Sequence, residues 1–214
     1  MKKIVIGCYM VGMIQTNFYY LHREGESETI VFDPADHGRE INEELTKQGL
    51  TVKAIFLTHG HFDHILGVKA LREASGAPVY ASAYEREFMN DASLNGSSDI
   101  RRPCAVTADH YLIDGESVTV AGITLTMIYT PGHTEGSCCF YIDAEQTGGS
   151  PILISGDTLF EESVGRTDLP TGDMHDLVES VRGKLFALPD DTIVYPGHGG
   201  FTSIEHEKKY NYFV

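Results

Sequence analysis

The segment Thr58-His59-Gly60-His61-Phe62-Asp63-His64 sets three imidazoles and a carboxylate within six residues. Imidazole and carboxylate are the standard protein donors to zinc, iron and manganese. A solvated polar loop does not account for the apolar run Ala54-Ile55-Phe56-Leu57 that leads straight into it. That run reads as a strand and a helical pattern begins just after the motif, so four donors sit on a strand-to-helix turn. His59 and His61, two apart, can point the same way from an extended segment, and Gly60 lets the backbone bend between them. Asp63 and His64 fall in a first helical turn, where neighbours diverge by about 100°. One segment therefore offers donor pairs in two directions, which suits two metal ions rather than one.

Three further donors each follow a strand-like run and a glycine turn: His133 after Tyr129-Thr130-Pro131-Gly132, Asp157 after Leu153-Ile154-Ser155-Gly156, and His198 after Val194-Tyr195-Pro196-Gly197. Strand ends are where layered α/β proteins build sites. Each residue alone reads as part of a turn; the repeated design makes them candidates. His22, His37, His110, His175 and His206 are read as surface or structural groups.

The elements that must position these donors are visible as periodicities. β-branched and aromatic runs predict strands at 3–6, 18–21, 29–32, 54–57, 79–81, 123–129, 137–142, 152–154 and 192–195. Apolar spacing predicts helices at 40–48, 65–73 and 175–188, the last with Asp173 as its N-cap. Strand groups with helices interspersed predict an α/β chain with mixed or antiparallel sheets, organised as one domain over residues 1–214. The polar stretch 90–102 reads as an exposed loop.

Of the 214 residues, 42% are hydrophobic, enough for a large core. The net charge of −15 argues against nucleic acid as a partner, since phosphate binding calls for a basic face. No run approaches the roughly 20 apolar residues of a membrane-spanning helix. Lys2-Lys3 and the apolar run after them are read as a first strand rather than a signal peptide, so a cytoplasmic location and no membrane partner are expected. Cys8, Cys104, Cys138 and Cys139 lack Cys-x-x-Cys spacing. Cys138 and Cys139, adjacent in an apolar run, are expected on opposite faces of a strand, at least one as a buried structural thiol.

Thr58-His59-Gly60-His61-Phe62-Asp63-His64 resembles the T-H-x-H-x-D-H motif of the metallo-β-lactamase superfamily. Pro131-Gly132-His133-Thr134, Gly156-Asp157 and Pro196-Gly197-His198 resemble its later motifs in the same order. Within that superfamily, residues 12–17, 155–160 and 165–170 are most similar to the short glyoxalase II-like hydrolases. The resemblance implies an αββα sandwich, two mixed sheets packed face to face with helices outside. It implies a first metal held by His59, His61 and His133, a second held by Asp63, His64 and His198, and Asp157 bridging both. The implied cofactors are two divalent ions, zinc first, with iron or manganese acceptable to the same donors.

The resemblance further implies a metal-dependent hydrolase of the thioesterase kind, acting on S-lactoylglutathione or a related small-molecule thioester. Water activated between two cations would attack the thioester carbonyl. A thiolate leaves without a strong general acid, and Asp63 and Asp157 are the carboxylates closest to that chemistry. Phe62, Phe160 and Arg166 are candidate substrate contacts. For the two phenylalanines core packing is the equal alternative; for Arg166 it is pairing with Asp168. Asp157 stands where some zinc β-lactamases carry a cysteine ligand, which argues against antibiotic hydrolysis, and His61 stands where flavodiiron relatives carry glutamate. The glutathione-binding helical domain of full-length glyoxalase II has no expected counterpart in residues 199–214. Gly165-Arg166-Thr167-Asp168 also resembles an element of the persulfide dioxygenases, which use one iron and oxygen. That is the alternative reading. The oligomeric state is not legible.

Overall fold

The structure is a computed structural model and describes residues 2–214. Strands β1 (Ile4–Val11), β2 (Thr16–Arg23) and β3 (Glu28–Phe32) open the chain as an antiparallel meander. Helix α1 (Gly38–Lys47) then carries it across to β4 (Thr51–Phe56), which pairs parallel with β3. Two short helices, α2 (Phe62–Ile65) and α3 (Val68–Ser75), lead to β5 (Val79–Ser82), and α4 (Arg86–Asn90) leads to β6 (His110–Leu112). These six strands form one mixed sheet in sequence order.

The chain then enters a second sheet with β7 (Ser117–Val120), β8 (Ile123–Tyr129) and β9 (Cys138–Ile142). After α5 (Ala144–Thr147) come β10 (Ile152–Gly156) and a small ribbon of β11 (Leu159–Phe160) with β12 (Ser163–Val164). Helix α6 (Met174–Gly183), β13 (Ile193–Pro196), β14 (Thr202–Ser203) and α7 (Ile204–Tyr210) complete the fold. The second sheet runs β14-β13-β10-β9-β8-β7, parallel only at β10–β13. The expected pair of mixed sheets flanked by helices is what forms.

Three apolar layers hold it together. Between the sheets, Phe32, Phe56 and Phe140 meet with ring centroids 5.3–5.7 Å apart. Outside the first sheet, Val31, Ile55 and Val79 take Ile41 and Leu45 of α1 and Val68 and Leu71 of α3. Outside the second, Leu153 and Val194 take Val181 of α6, Leu185 and Ile204 of α7. Cys138 and Cys139 fall in different layers, as strand alternation requires, and both are buried.

Two expectations need correction. The helix expected over 65–73 is broken, because the Gly67 amide donates to Pro34 O (2.8 Å) rather than back along the helix. The stretch 90–102 is not simply exposed: Asn95 and Ser97 are fully buried. The Asn95 amide donates to Met89 O and Cys104 O, and Ser97 Oγ accepts from Cys104 N, so the loop is bonded into a fixed wall.

Candidate metal centre

The site lies at one edge of the sandwich, where both sheets end. From the first sheet β4 delivers Thr58 and His59, and α2 presents Asp63 and His64 from its first turn. Gly60 does not sit in the left-handed region. It is needed for space, since a Cβ there would lie 2.6 Å from Met89 Cγ and 2.9 Å from Phe88 Cδ1. From the second sheet come three strand-end turns. Asp173 caps α6 by accepting from His175 N and Asp176 N, and its own amide donates to Gly132 O. Ser180 Oγ donates to Pro131 O, so α6 holds the turn that carries His133. The β10–β13 register shifts between Ile154 and Gly156, an irregularity of the kind that re-aims a side chain, immediately before Asp157. The His198 turn is gripped across the sandwich by β2: Asn17 Nδ2 donates to Pro196 O and Gly199 O, and the Tyr19 hydroxyl to Pro196 O.

These turns bring all seven expected donors together. Three groups have donor atoms within 4.8 Å of one another: His59, His61 and His133; Asp63, His64 and His198; and His59, His64 and Asp157. His61 Nδ1 and His133 Nε2 lie 2.9 Å apart, an approach two imidazole lone pairs tolerate only with a proton or cation between them. Asp157 Oδ1 is 3.4 Å from His64 Nε2, and its Oδ2 is 3.7 Å from His133 Nε2 and 3.5 Å from His198 Nε2. Asp63 Oδ2 lies 3.4 Å from His64 Nε2 and 3.2 Å from His198 Nε2.

The residues fit metal ions. Among the described residues five buried side-chain atoms have no hydrogen-bond partner, and four are here: Nε2 of His59, His61 and His64, and Oδ1 of Asp157. Each such atom carries a cost of about 1–3 kcal/mol unless something occupies it. The opposite ring nitrogens of three histidines are held from behind: His59 Nδ1 by Thr58 Oγ1, His64 Nδ1 by Asp33 Oδ2 and His133 Nδ1 by Arg166 O. Such outer partners orient metal-bound imidazoles.

The electrostatics divide the histidines. Burial, reinforced by the neighbouring imidazoles, pushes His59 well below the usual range and His61 down to about 3, and lowers His133. These three rings are neutral donors at neutral pH. Burial also opposes charge on His64 and His198, but Asp63 and Asp157, with Asp33 for His64, more than offset it and raise both. Burial would raise the two carboxylates, yet the facing imidazoles hold Asp63 and Asp157 below the usual range.

Sequence reading missed two carboxylates that support the site. Asp33, just after β3, accepts from Thr58 N (2.9 Å), Thr58 Oγ1 (2.7 Å) and His64 Nδ1. Glu85, fully buried, accepts from Gly60 N (2.8 Å) and Thr134 Oγ1 (3.0 Å), tying the His59–His61 turn to the His133 turn. A hint existed for Asp33, which follows a strand as the donors do.

A cavity of about 630 Å³ opens over the donors. Phe62 and Phe160 are half-buried and line it; neither is a core residue. Arg166 stands on its rim, but its guanidinium is engaged by Asp168 at 2.7 and 2.8 Å. Its backbone carbonyl, holding His133, is its contact with the donors.

The family model of the metallo-beta-lactamase superfamily matches residues 11–198, a span that contains every donor. The chain belongs to that superfamily. Among superfamily relatives, a probable metallo-hydrolase, YqgX, of Bacillus subtilis is 40% identical over 95% of this chain and 94% of its own. The hydroxyacylglutathione hydrolase GloC of Haemophilus influenzae is 30% identical over 89% of each. Among solved structures, the BLEG-1 B3 metallo-beta-lactamase superposes with a TM-score of 0.89 at 40% identity, covering 98% of this chain and 99% of that one. TTHA1623 in a di-iron-bound form gives 0.82 at 32%, over 97% and 100%. ETHE1 from Myxococcus xanthus gives 0.78 at 29%, over 97% and 83%. The superfamily's hydrolase character and its His/Asp metal chemistry therefore extend to this chain. The argument against antibiotic hydrolysis drawn from position 157 reaches only lactamases with a cysteine ligand, because a similar structure bears the lactamase name.

Proposed function

We propose that this chain is a dinuclear metal-dependent thioester hydrolase of the glyoxalase II type, acting on S-lactoylglutathione or a related thioester. The supporting observation is Asp157, whose carboxylate faces His64 on one side and His133 and His198 on the other, at the floor of an open cavity. His59, His61 and His133 would hold one ion, Asp63, His64 and His198 the other, and Asp157 both. Bound divalent ions, zinc first, supply a water acidic enough to attack at neutral pH and polarise the substrate carbonyl. The Thr16 hydroxyl donates to Asp63 Oδ2 and so fixes the carboxylate that would also orient the attacking water. Water oxygen bonds to the carbonyl carbon, one of its protons passes to solvent and the other ends on the departing sulfur. The carbon–sulfur bond breaks with its electron pair on sulfur, leaving an acid and a thiol. The 30% identity to GloC, named a hydroxyacylglutathione hydrolase, supports the reaction class. Four free thiols fit a reducing compartment, and we place the protein in the cytoplasm, with no nucleic-acid or membrane partner.

The test is turnover of S-lactoylglutathione and of the lactoyl thioester of N-acetylcysteamine by zinc-loaded and iron-loaded protein, followed by thioester absorbance. Asp157→Ala is expected to lose turnover and metal together. Retention of both sinks the bridging role. A second reading, a mononuclear iron persulfide dioxygenase, is supported by the resemblance of the Gly165–Asp168 element to those enzymes. Oxygen uptake with glutathione persulfide by iron-loaded protein, without thioester turnover, selects it.

A further inference from the structure

The cavity has a floor and walls of opposite character. The floor is the donor set. The walls are mainly apolar: Ile14 from the β1–β2 hairpin, Phe62, Leu94 and Ile100 from the bonded 90–102 loop, Phe160, and Leu169, with Ser93 and Ser163 as their uncharged polar members. Outside the floor, the charged lining residues are Asp99 and Arg166. Arg166 donates from Nε and Nη2 to Asp168, so its charge is already paired within the protein. Of the two arginines further along the loop, Arg101 is exposed and does not line the cavity, and Arg102 is turned away to Asp36. Asp99 is exposed, and among the described residues no cation pairs with it. The walls thus hold one free carboxylate and no free cation.

A glutathione thioester carries two carboxylates and one ammonium, a net negative charge, and would bring its carboxylates against largely apolar walls that offer few groups to replace their water, with Asp99 opposing the net charge. An uncharged apolar ligand meets neither cost and gains the wall area removed from water. We propose that the cavity selects a thioester whose thiol half is uncharged and apolar, and that Asp99 is the residue that discriminates against anionic thiol carriers. The proposal rests on the thioester reading for the reacting group, yet it can be read without reaction.

The experiment is calorimetric titration of the zinc-loaded protein with two thioethers that cannot be hydrolysed, S-hexyl-N-acetylcysteamine and S-hexylglutathione. The uncharged probe is expected to bind about tenfold more tightly, a difference of one decade in Kd. Raising salt is expected to narrow the gap by screening Asp99. In Asp99→Lys the ratio is expected to move at least about threefold towards the glutathione probe, the scale of an exposed charge contact. Leu94→Ser, with an unchanged melting temperature, is expected to weaken the uncharged probe. Equal or tighter binding of S-hexylglutathione, a ratio unmoved by Asp99→Lys, or no binding of either probe overturns the proposal. The two lactoyl thioesters separate its failure from that of the function: tight binding of the uncharged probe without turnover of either thioester removes the thioesterase reading and keeps the ligand class.

Discussion

Asp33 holds the His64 ring and the Thr58 backbone at once, from a left-handed backbone position (φ 48°) just past the end of β3. Its loss leaves the His64 imidazole unsupported, and Asp33→Ala is expected to weaken metal binding by about 10–100-fold. Competition with a chromophoric chelator measures this; unchanged affinity would remove the supporting role. Glu85 predicts a pH dependence of stability. Burial, only partly offset by the Gly60 amide and the Thr134 hydroxyl, raises its carboxyl to about 8. Between the unfolded value of about 4.3 and about 8, the folded state binds the proton and the unfolded state does not. Its stabilising contribution is therefore complete below that window and is lost as pH rises through about 8. Glu85→Gln can still accept from Gly60 and donate to Thr134, so metal-free Glu85→Gln is expected to lose this slope. Parallel melting curves of the two proteins from pH 5 to 9 would contradict it. Neither residue stood out in the sequence. Asp33 precedes a proline as any turn residue does, and Glu85 lies in a charged stretch whose inward face shows only once β5 and α4 are placed. The clustered donors were legible because three imidazoles and a carboxylate in six residues have few structural explanations.

Each strand end is held by an element that is not its neighbour in the sequence, and this makes the turns sensitive to single atoms. A Cβ at position 197 would lie 2.2 Å from Asp157 Oδ1 and 2.7 Å from His64 Cε1. Gly197→Ala is expected to cost about 1–3 kcal/mol through overpacking and to lower metal content, read by melting and elemental analysis on one sample. Asp173→Ala removes the α6 cap and is expected to cost about 1 kcal/mol, with reduced turnover because the frayed helix start loosens the Asp173 amide that secures the His133 turn. The amphipathic stripe of α6 and its cap were visible in advance, as were β8 and most core strands. The edge strands β6, β7 and β14 and the β11–β12 ribbon were not, being too short to show a period. The 90–102 loop misled by composition. Polar side chains suggested solvent, but Asn95 and Ser97 turn inward to bond the carbonyl of Cys104, just past the loop, leaving Leu94 and Ile100 facing the cavity.

At the scale of the whole molecule, the ions would join two sheets that otherwise meet through apolar packing. Removing them strands the buried donor atoms and forfeits linkage stabilisation of about 4 kcal/mol for each ion held at a thousandfold its Kd. For a chain of this length that corresponds to a fall of roughly 8–16 °C per ion on chelation; an unchanged melting temperature after metal loss shown by elemental analysis would refute it. The mixed sheets followed from the strand-like runs in the sequence and the outer helices from the superfamily resemblance, whereas which strand ends face one another did not, since that depends on contacts such as Asn17 to Gly199. The chain crosses between its sheets once, in the turn between β6 and β7, after β1–β6 have all been laid down on one side and before any of β7–β14 on the other. Every one of the three donor groups draws from both sides of that crossing. Cut at the crossing, the protein would become a two-part sensor: neither fragment owns a complete donor group, so free metal ions would tighten a reunion that the apolar layer between the sheets already favours.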